Sequence, residues 1–390
     1  MNLLTPQRVC LPFRKKLMKF SLNRRLLLLA VPLIVLTLAA CAGQISKPKG
    51  WSGGTVQGDT LYIGTQAGDV RALDVKNGFT KWDFELQGED KSRGVYGAPA
   101  VTDDAIYVGG YDSILYALSV SGDSLWQEPV GGSIVGSPVV ADGAVLVGAT
   151  DGVLYAINIE DRAELWTFAT GSRVWSSPAV DVGNGVVYLT SFDQKIYALK
   201  LADGSMMWEF ETDGAVASTP VVNSGGVYVG SFDGVFYALN AATGAPLWQF
   251  DGASNWYWGE ALVTGDTVYA GSLDGNLYAL DKFSGALRWT YATEGPIVGK
   301  PVIVFDMIAV PSDDGGLHLV RMADGREVSS CSMGTELRSS LVQQDGVVFL
   351  NANDGSIRAL RIKSSGNPDE EWVHFANEDK PIDAGRPPDC

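Results

Sequence analysis

The stretch from Val227 to Phe250, VYVGSFDGVFYALNAATGAPLWQF, decides how the chain folds. Val227 and Val229, then Phe236 and Ala238, recur at period two, the spacing of residues on one face of a β-strand. Phe232-Asp233-Gly234 interrupts the run, and Thr243-Gly244 interrupts it again before Leu247-Trp248-Gln249-Phe250, which reads as short strands joined by tight turns. A further strand lies just upstream in Thr219-Pro220-Val221-Val222, closed by Asn223-Ser224-Gly225-Gly226. The unit is a four-stranded antiparallel meander, and one such unit cannot bury both of its faces.

The chain supplies the neighbours it needs. Trp82, Trp126, Trp166, Trp208, Trp248 and Trp289 close successive copies at intervals of 40 to 44 residues, Ser329 stands at that place in a seventh copy, and Trp372 closes an eighth. The middle of each copy repeats as well, from GDVRALDV at Gly68 through GVFYALNA at Gly234 to GSIRALRI at Gly355. Eight units with this period predict an all-β, eight-bladed β-propeller closed on itself, because a solenoid requires atypical polar caps at its ends. The blades are placed at 51–86, 94–130, 133–169, 173–211, 215–251, 255–292, 296–332 and 336–375. Both ends of the eighth blade lie in C-terminal sequence, so closure is expected to rest on packing of blade 8 against blade 1.

Composition agrees. Of 390 residues, 46% are apolar, enough for a large core, and 46 glycines serve many tight turns. Charged residues make up 19%, which argues against disorder.

Residues 1–41 read as a targeting segment. Arg24-Arg25 precede the apolar run LLLLAVPLIVLTLAA, which is short for a bilayer span and ends in Leu38-Ala39-Ala40-Cys41, similar to a bacterial lipobox whose cysteine carries the lipid. An uncleaved anchor and an ordinary signal are the alternatives. Met18 begins a signal of normal proportions, so residues 1–17 read as an extension from a misplaced start. Residues 42–50 form a tether and 376–390 a polar tail. Removing the segment takes away seven basic residues and no acidic ones, shifting the net charge from −16 to −23. So acidic a body repels nucleic acid and anionic lipid, leaving the lipid on Cys41 as the membrane attachment. Of the other cysteines, Cys331 falls in the outer strand of blade 7 and Cys390 ends the tail. In an oxidising compartment they either form a disulfide or remain two free thiols, one of them half-buried.

Copies such as YALNAATGAPLWQF and YALDKFSGALRWTY resemble the tryptophan-docking repeats of PQQ-type propellers, the eight-bladed family shared by quinoprotein alcohol dehydrogenases and BamB-like lipoproteins of outer-membrane barrel assembly. The resemblance covers residues 51–375. It implies that Trp82, Trp126, Trp166, Trp208, Trp248, Trp289 and Trp372 each pack on the next blade, and that Ser329 weakens one seam.

Chemistry, if present, belongs where the inner strands begin, around the central channel. A small residue followed by proline recurs there: Ala98-Pro99, Ser137-Pro138, Ser177-Pro178 and Thr219-Pro220. Glu260-Ala261 and Lys300-Pro301 depart from the pattern and place an acid and a base at equivalent points of adjacent blades, as a salt bridge or as part of a ligand site. Slightly upstream, Trp51, Tyr96, Trp175, Trp258 and Arg338 share one register position, and Trp256 lies on the same side of its strand as Trp258. These aromatics are either core or a platform for a sugar or for an apolar side chain of a partner. The turn aspartates Asp112, Asp151, Asp193, Asp233, Asp274, Asp314 and Asp354 read as hairpin residues at positive φ. His318 and His374 are the chain's two histidines, too few for a zinc site or a serine triad, and no metal ligands are assigned. The quinoprotein resemblance implies PQQ held through calcium, often over an adjacent cysteine pair. No such pair occurs here, and Glu260 and Asn255 alone offer suitable oxygens near the axis, so no cofactor is expected.

The sequence therefore points to a non-catalytic, monomeric, lipid-anchored propeller of the cell envelope that binds a protein or a polymer, with a BamB-like part in barrel assembly. A carbohydrate- or ligand-binding propeller is the alternative, and a PQQ-dependent dehydrogenase the third reading.

Overall fold

In a computed structural model, residues 51–65, 68–87 and 94–375 are described, and they form eight four-stranded antiparallel sheets. The targeting segment with Cys41, the tether, and the tail with Cys390 lie outside the described residues. Blade 5 shows the plan, with strands Val221–Asn223, Gly226–Gly230, Phe236–Asn240 and Pro246–Phe250 in simple meander order. The last blade, from Val342 to Phe375, takes all its strands from the C-terminal sequence, so no strand is exchanged between the ends.

The period-two pattern has a different meaning from that in a sheet with one wet face. The second strand of blade 5 is buried along its whole length. Its residues alternate between two seams: Val227 and Val229 pack with blade 4, while Tyr228 packs with blade 6. A blade sandwiched between two others needs apolar residues on both faces, which is why the run is nearly continuous. One apolar cluster fills each seam around the ring, and the one joining Leu61, Ile63 and Leu73 to Phe349, Ala359 and Trp372 closes blade 8 on blade 1.

The docking tryptophans make these seams directional. The indole N–H of Trp248 donates to Lys282 O at 2.9 Å in the next blade, and Trp82, Trp166, Trp208, Trp289 and Trp372 make the equivalent bonds to Val120, Leu201, Ala241, Met322 and Val75 at 2.9 to 3.0 Å. Six of these indoles, all but that of Trp126, lie on a turn glycine with positive φ. At Gly244 (φ 71°) a Cβ would fall 2.7 Å from the Trp208 ring, so both backbone and contact demand glycine. In blade 3 the corresponding turn residue is Arg162 (φ 64°), and Trp126 packs against the Tyr107 ring of its own blade, as Trp82, Trp208, Trp248 and Trp289 do against Tyr62, Tyr188, Tyr228 and Tyr269. Blade 7 is held differently: the Ser329 hydroxyl donates to Gly366 O at 2.5 Å, and Val328 covers Gly366.

Two expectations need correction. The positive φ in the turns belongs to the residue after each aspartate, such as Gly234 (φ 83°) or Gln194 (φ 73°). The aspartate instead accepts a hydrogen bond from the tyrosine four residues on, as Asp233 does from Tyr237 at 2.7 Å and Asp193 from Tyr197 at 2.6 Å. Cys331 is fully buried rather than half-buried, and it is disulfide-bonded. Its place inside the blade 7 to blade 8 cluster explains the burial.

Candidate functional site at the channel mouth

The starts of the inner strands meet around the axis because the residues there are small. Backbone N–H groups donate to the next blade's hydroxyl, Ala98 to Ser137 (2.8 Å), Ser137 to Ser177 (2.7 Å) and Ser177 to Thr219 (3.1 Å). Glu260 and Lys300 stand in this chain and pair with each other, each about a third exposed. They form the salt bridge rather than a free acid and a free base.

In blades 2 to 8 the loop entering the inner strand and the turn between the second and third strands are hydrogen-bonded to each other, as in Phe192 N to Arg173 O and Phe232 N to Ala215 O, both at 2.9 Å. Both therefore lie on one face of the ring. The structure gathers the aromatics on that face into two groups. Trp51 meets Tyr96 edge-on at 4.8 Å, and Tyr96 meets Tyr111 at 5.3 Å; burial pushes the Tyr96 hydroxyl up to about 12. In blades 4 to 6, Trp175 contacts Phe192 at 4.7 Å and Trp258 at 5.8 Å, Phe192 contacts Phe232 at 5.6 Å, and Phe232 lies under Trp256 at 4.6 Å with planes 11° apart. Trp175 and Trp258 belong to blades that are not neighbours. They meet because the intervening blade carries only Ala217 at that position. Trp256 is 45% exposed, so its face away from Phe232 is open.

Blades 7 and 8 make the mouth ionic. Asp313 takes the place of Phe192 and Phe232 in the turn, and Arg338 binds it through Nε at 3.0 and 3.2 Å. Arg338 also reaches Glu336 at 2.9 Å, and Asn353 donates to Glu336 at 3.0 Å. Burial pushes the Asp313 carboxyl up to about 6, against the pull of Arg338, and Glu336 adds to the rise.

The oxygens that the quinoprotein resemblance would assign to calcium and PQQ have other partners. The Glu260 carboxylate is engaged by Lys300, Asn255 bonds Trp256 N and Leu273 O, and among the described residues no three His, Cys, Asp or Glu side chains gather closely enough to hold a metal ion. Neither histidine is placed as a ligand. His318 lies between Asp314 and Tyr291, and His374 is buried with Nε2 2.7 Å from Arg71.

A second feature had a sequence signal that the aromatic pattern obscured. In every blade the register slips by one residue between the third and fourth strands, just before the docking position. In blade 7 the bulged residue, Val328, packs on Gly366; in the other blades it points outward on the edge strand. It is Lys81, Arg288 and Glu371 in blades 1, 6 and 8, where it is ion-paired with Asp59, with Asp266 and Asp281, and with Arg361. In blades 2 to 5 it is Leu125, Leu165, Met207 and Leu247, which are 52%, 48%, 44% and 51% exposed. The position before each tryptophan carries that alternation in the sequence.

Comparison with known proteins agrees with the architecture. The family profile described as the beta-propeller of the beta-alanine-activating enzyme matches residues 144–378, and that of the outer membrane protein assembly factor BamB matches residues 66–174. No curated protein matches the chain. Among solved structures, BamB from Moraxella catarrhalis superposes with a TM-score of 0.69 at 20% identity, covering 79% of this chain and 95% of that one. The computationally designed Ika8 protein gives 0.71 at 16% identity over 80% and 96%. A quinohemoprotein alcohol dehydrogenase from Pseudomonas putida HK5 gives 0.66 at 15% over 81% and 70%. At these identities the likeness is one of fold.

Proposed function

Because the chain belongs to the PQQ-like eight-bladed β-propellers, we propose that it is a non-catalytic protein-interaction scaffold of the cell envelope, anchored by a lipid on Cys41, with a BamB-like part in outer-membrane protein assembly. The observation that carries this reading is the outer edge of blades 2 to 5. There Leu125, Leu165, Met207 and Leu247 offer apolar side chains beside strand edges that no other strand pairs among the described residues. Natural proteins protect such edges with charge, as this one does in blades 1, 6 and 8. Four successive edges with an exposed apolar residue at the bulge suit a partner that lays down its own strand or an apolar surface. The match to the BamB profile over residues 66–174 covers the first two of them.

The test is crosslinking and capture in cells that carry the barrel-assembly machinery, comparing the native chain with a Leu165→Lys, Met207→Lys variant. Capture of assembly components that is lost in the variant, with unchanged melting, supports the reading. Failure to capture any assembly component, or equal capture by both proteins, rejects it.

A further inference from the structure

We infer that the aromatic shelf of blades 4 to 6 is a binding site for a neutral glycan of β-1,4-linked pyranoses. The site is distinct from the outer edges, and its test is independent of theirs.

Stacking geometry is the first support. Phe232 covers one face of Trp256 in a near-parallel stack, so the indole is held flat with its other face in solvent, while Trp258 continues the surface 5.4 Å from Phe232. A tryptophan offers a large, flat apolar surface. One backed by a parallel ring is pre-organised to receive a flat apolar surface with little loss of side-chain freedom. In a β-1,4-linked glucose or N-acetylglucosamine unit the ring substituents are equatorial, which leaves C–H groups on both faces and hydroxyls at the rim.

Charge is the second. Lys300 is neutralised by Glu260, and Arg338 by Asp313 and Glu336. Arg173, two residues before Trp175, has an interaction of its own. Lys300 and Arg338 thus offer no uncompensated positive charge to a phosphate or carboxylate, and the chain's net charge of −16 repels anions. What the mouth offers at its ionic side is planar Asp, Glu, Asn and Arg groups, which exchange hydrogen bonds with hydroxyls without requiring a charged ligand. An aromatic floor with a few polar groups at one side is the composition of a small-molecule site.

The experiment is calorimetric titration of the full chain with cellohexaose and chitohexaose, with maltohexaose as the α-linked control and a Phe- and Tyr-rich peptide as the competing ligand class. Saturable binding of a β-1,4 hexasaccharide in about the millimolar range, weakened about tenfold by Trp256→Ala and untouched by Leu165→Lys, is the expected result. Absence of binding by both β-1,4 probes, unchanged affinity in Trp256→Ala, or occupation of the shelf by the peptide alone overturns the assignment. Melting of the Trp256→Ala protein is expected to match the native value because the ring is exposed, which separates loss of binding from loss of fold.

Discussion

The hydroxyl of Tyr291 in blade 6 lies 2.9 Å from Nδ1 of His318 in blade 7. At the same place in other seams an aromatic pair meets: Phe168 with Tyr197 at 5.2 Å, Phe210 with Tyr237 at 5.5 Å, and Phe250 with Tyr278 at 5.2 Å. Both partners have changed together, giving a polar link where the others have an apolar one. Tyr291 donates its proton to Glu327, and the other ring nitrogen of His318, Nε2, lies 3.1 Å from the Asp314 carboxylate. At the closing seam His374 and Arg71 stand at these positions, 2.7 Å apart.

His318→Phe leaves Asp314 without its imidazole donor and Tyr291 without its second partner. It is expected to cost about 2 kcal/mol. His318→Tyr, which can still reach Asp314 as the other blades do, is expected to cost about half as much. Urea unfolding of both variants gives the comparison.

The hydrogen bond from Tyr291 holds Glu327 below its ordinary value near 4.5. A carboxyl depressed in the folded state adds stability that is present above its unfolded value and is lost as pH falls through the folded one. Tyr291→Phe removes that bond. Its loss of stability relative to the native chain is expected to be largest near neutrality and to shrink below about pH 4.5.

Asp313 behaves in the opposite sense. With its carboxyl raised to about 6, the protonated form is favoured in the fold, so this group's contribution is full below pH 4 and is lost as pH rises through 6. Asp313→Asn should flatten that part of the stability curve. Arg338→Ala, which strips the buried carboxylate of its partner, should steepen it and cost about 3 kcal/mol at neutral pH. Thermal melting between pH 4 and 8 distinguishes the three proteins.

Gly244 and Gly225 both have positive φ, at 71° and 80°, yet a Cβ at Gly225 meets nothing within 4 Å. Alanine at Gly225 should therefore cost only the backbone strain, about 1 kcal/mol. At Gly244 it must also displace the Trp208 indole, and about 3 kcal/mol is expected. Paired denaturant midpoints measure the difference.

The Glu260 and Lys300 pair is conspicuous in the sequence, but each side chain is about a third exposed. Glu260→Gln is expected to change stability by less than about 1 kcal/mol, so a loss of several kcal/mol on melting contradicts a simple surface pair.

Much of the fold was legible because each blade is a local object. Turn residues, strand periodicity and the docking tryptophan all sit within about forty residues of one another, and their repetition gives the blade count without any long-range contact. The candidate site was legible in part. Trp175, Trp256 and Trp258 shared a register and could be expected on one face, whereas Phe192 and Phe232 belong to turns whose phenylalanines looked like ordinary punctuation. The bulged edge residues Leu125, Leu165, Met207 and Leu247 were hidden because exposure at an edge depends on the register slip, which periodicity alone does not reveal.

The sequence alone determined the eightfold repetition, the positions of the seams and the small residues that let the inner strands converge, since these follow from backbone propensity and from spacing within a unit. Only the tertiary structure decided which side chains of different blades touch: that Trp175 reaches Trp258 over Ala217, that Arg338 is tied to Asp313, and that Trp51 and Tyr96 form a separate pair. The reach of a side chain across the ring depends on the size of what stands between, and that is a property of the packed assembly and not of any one repeat.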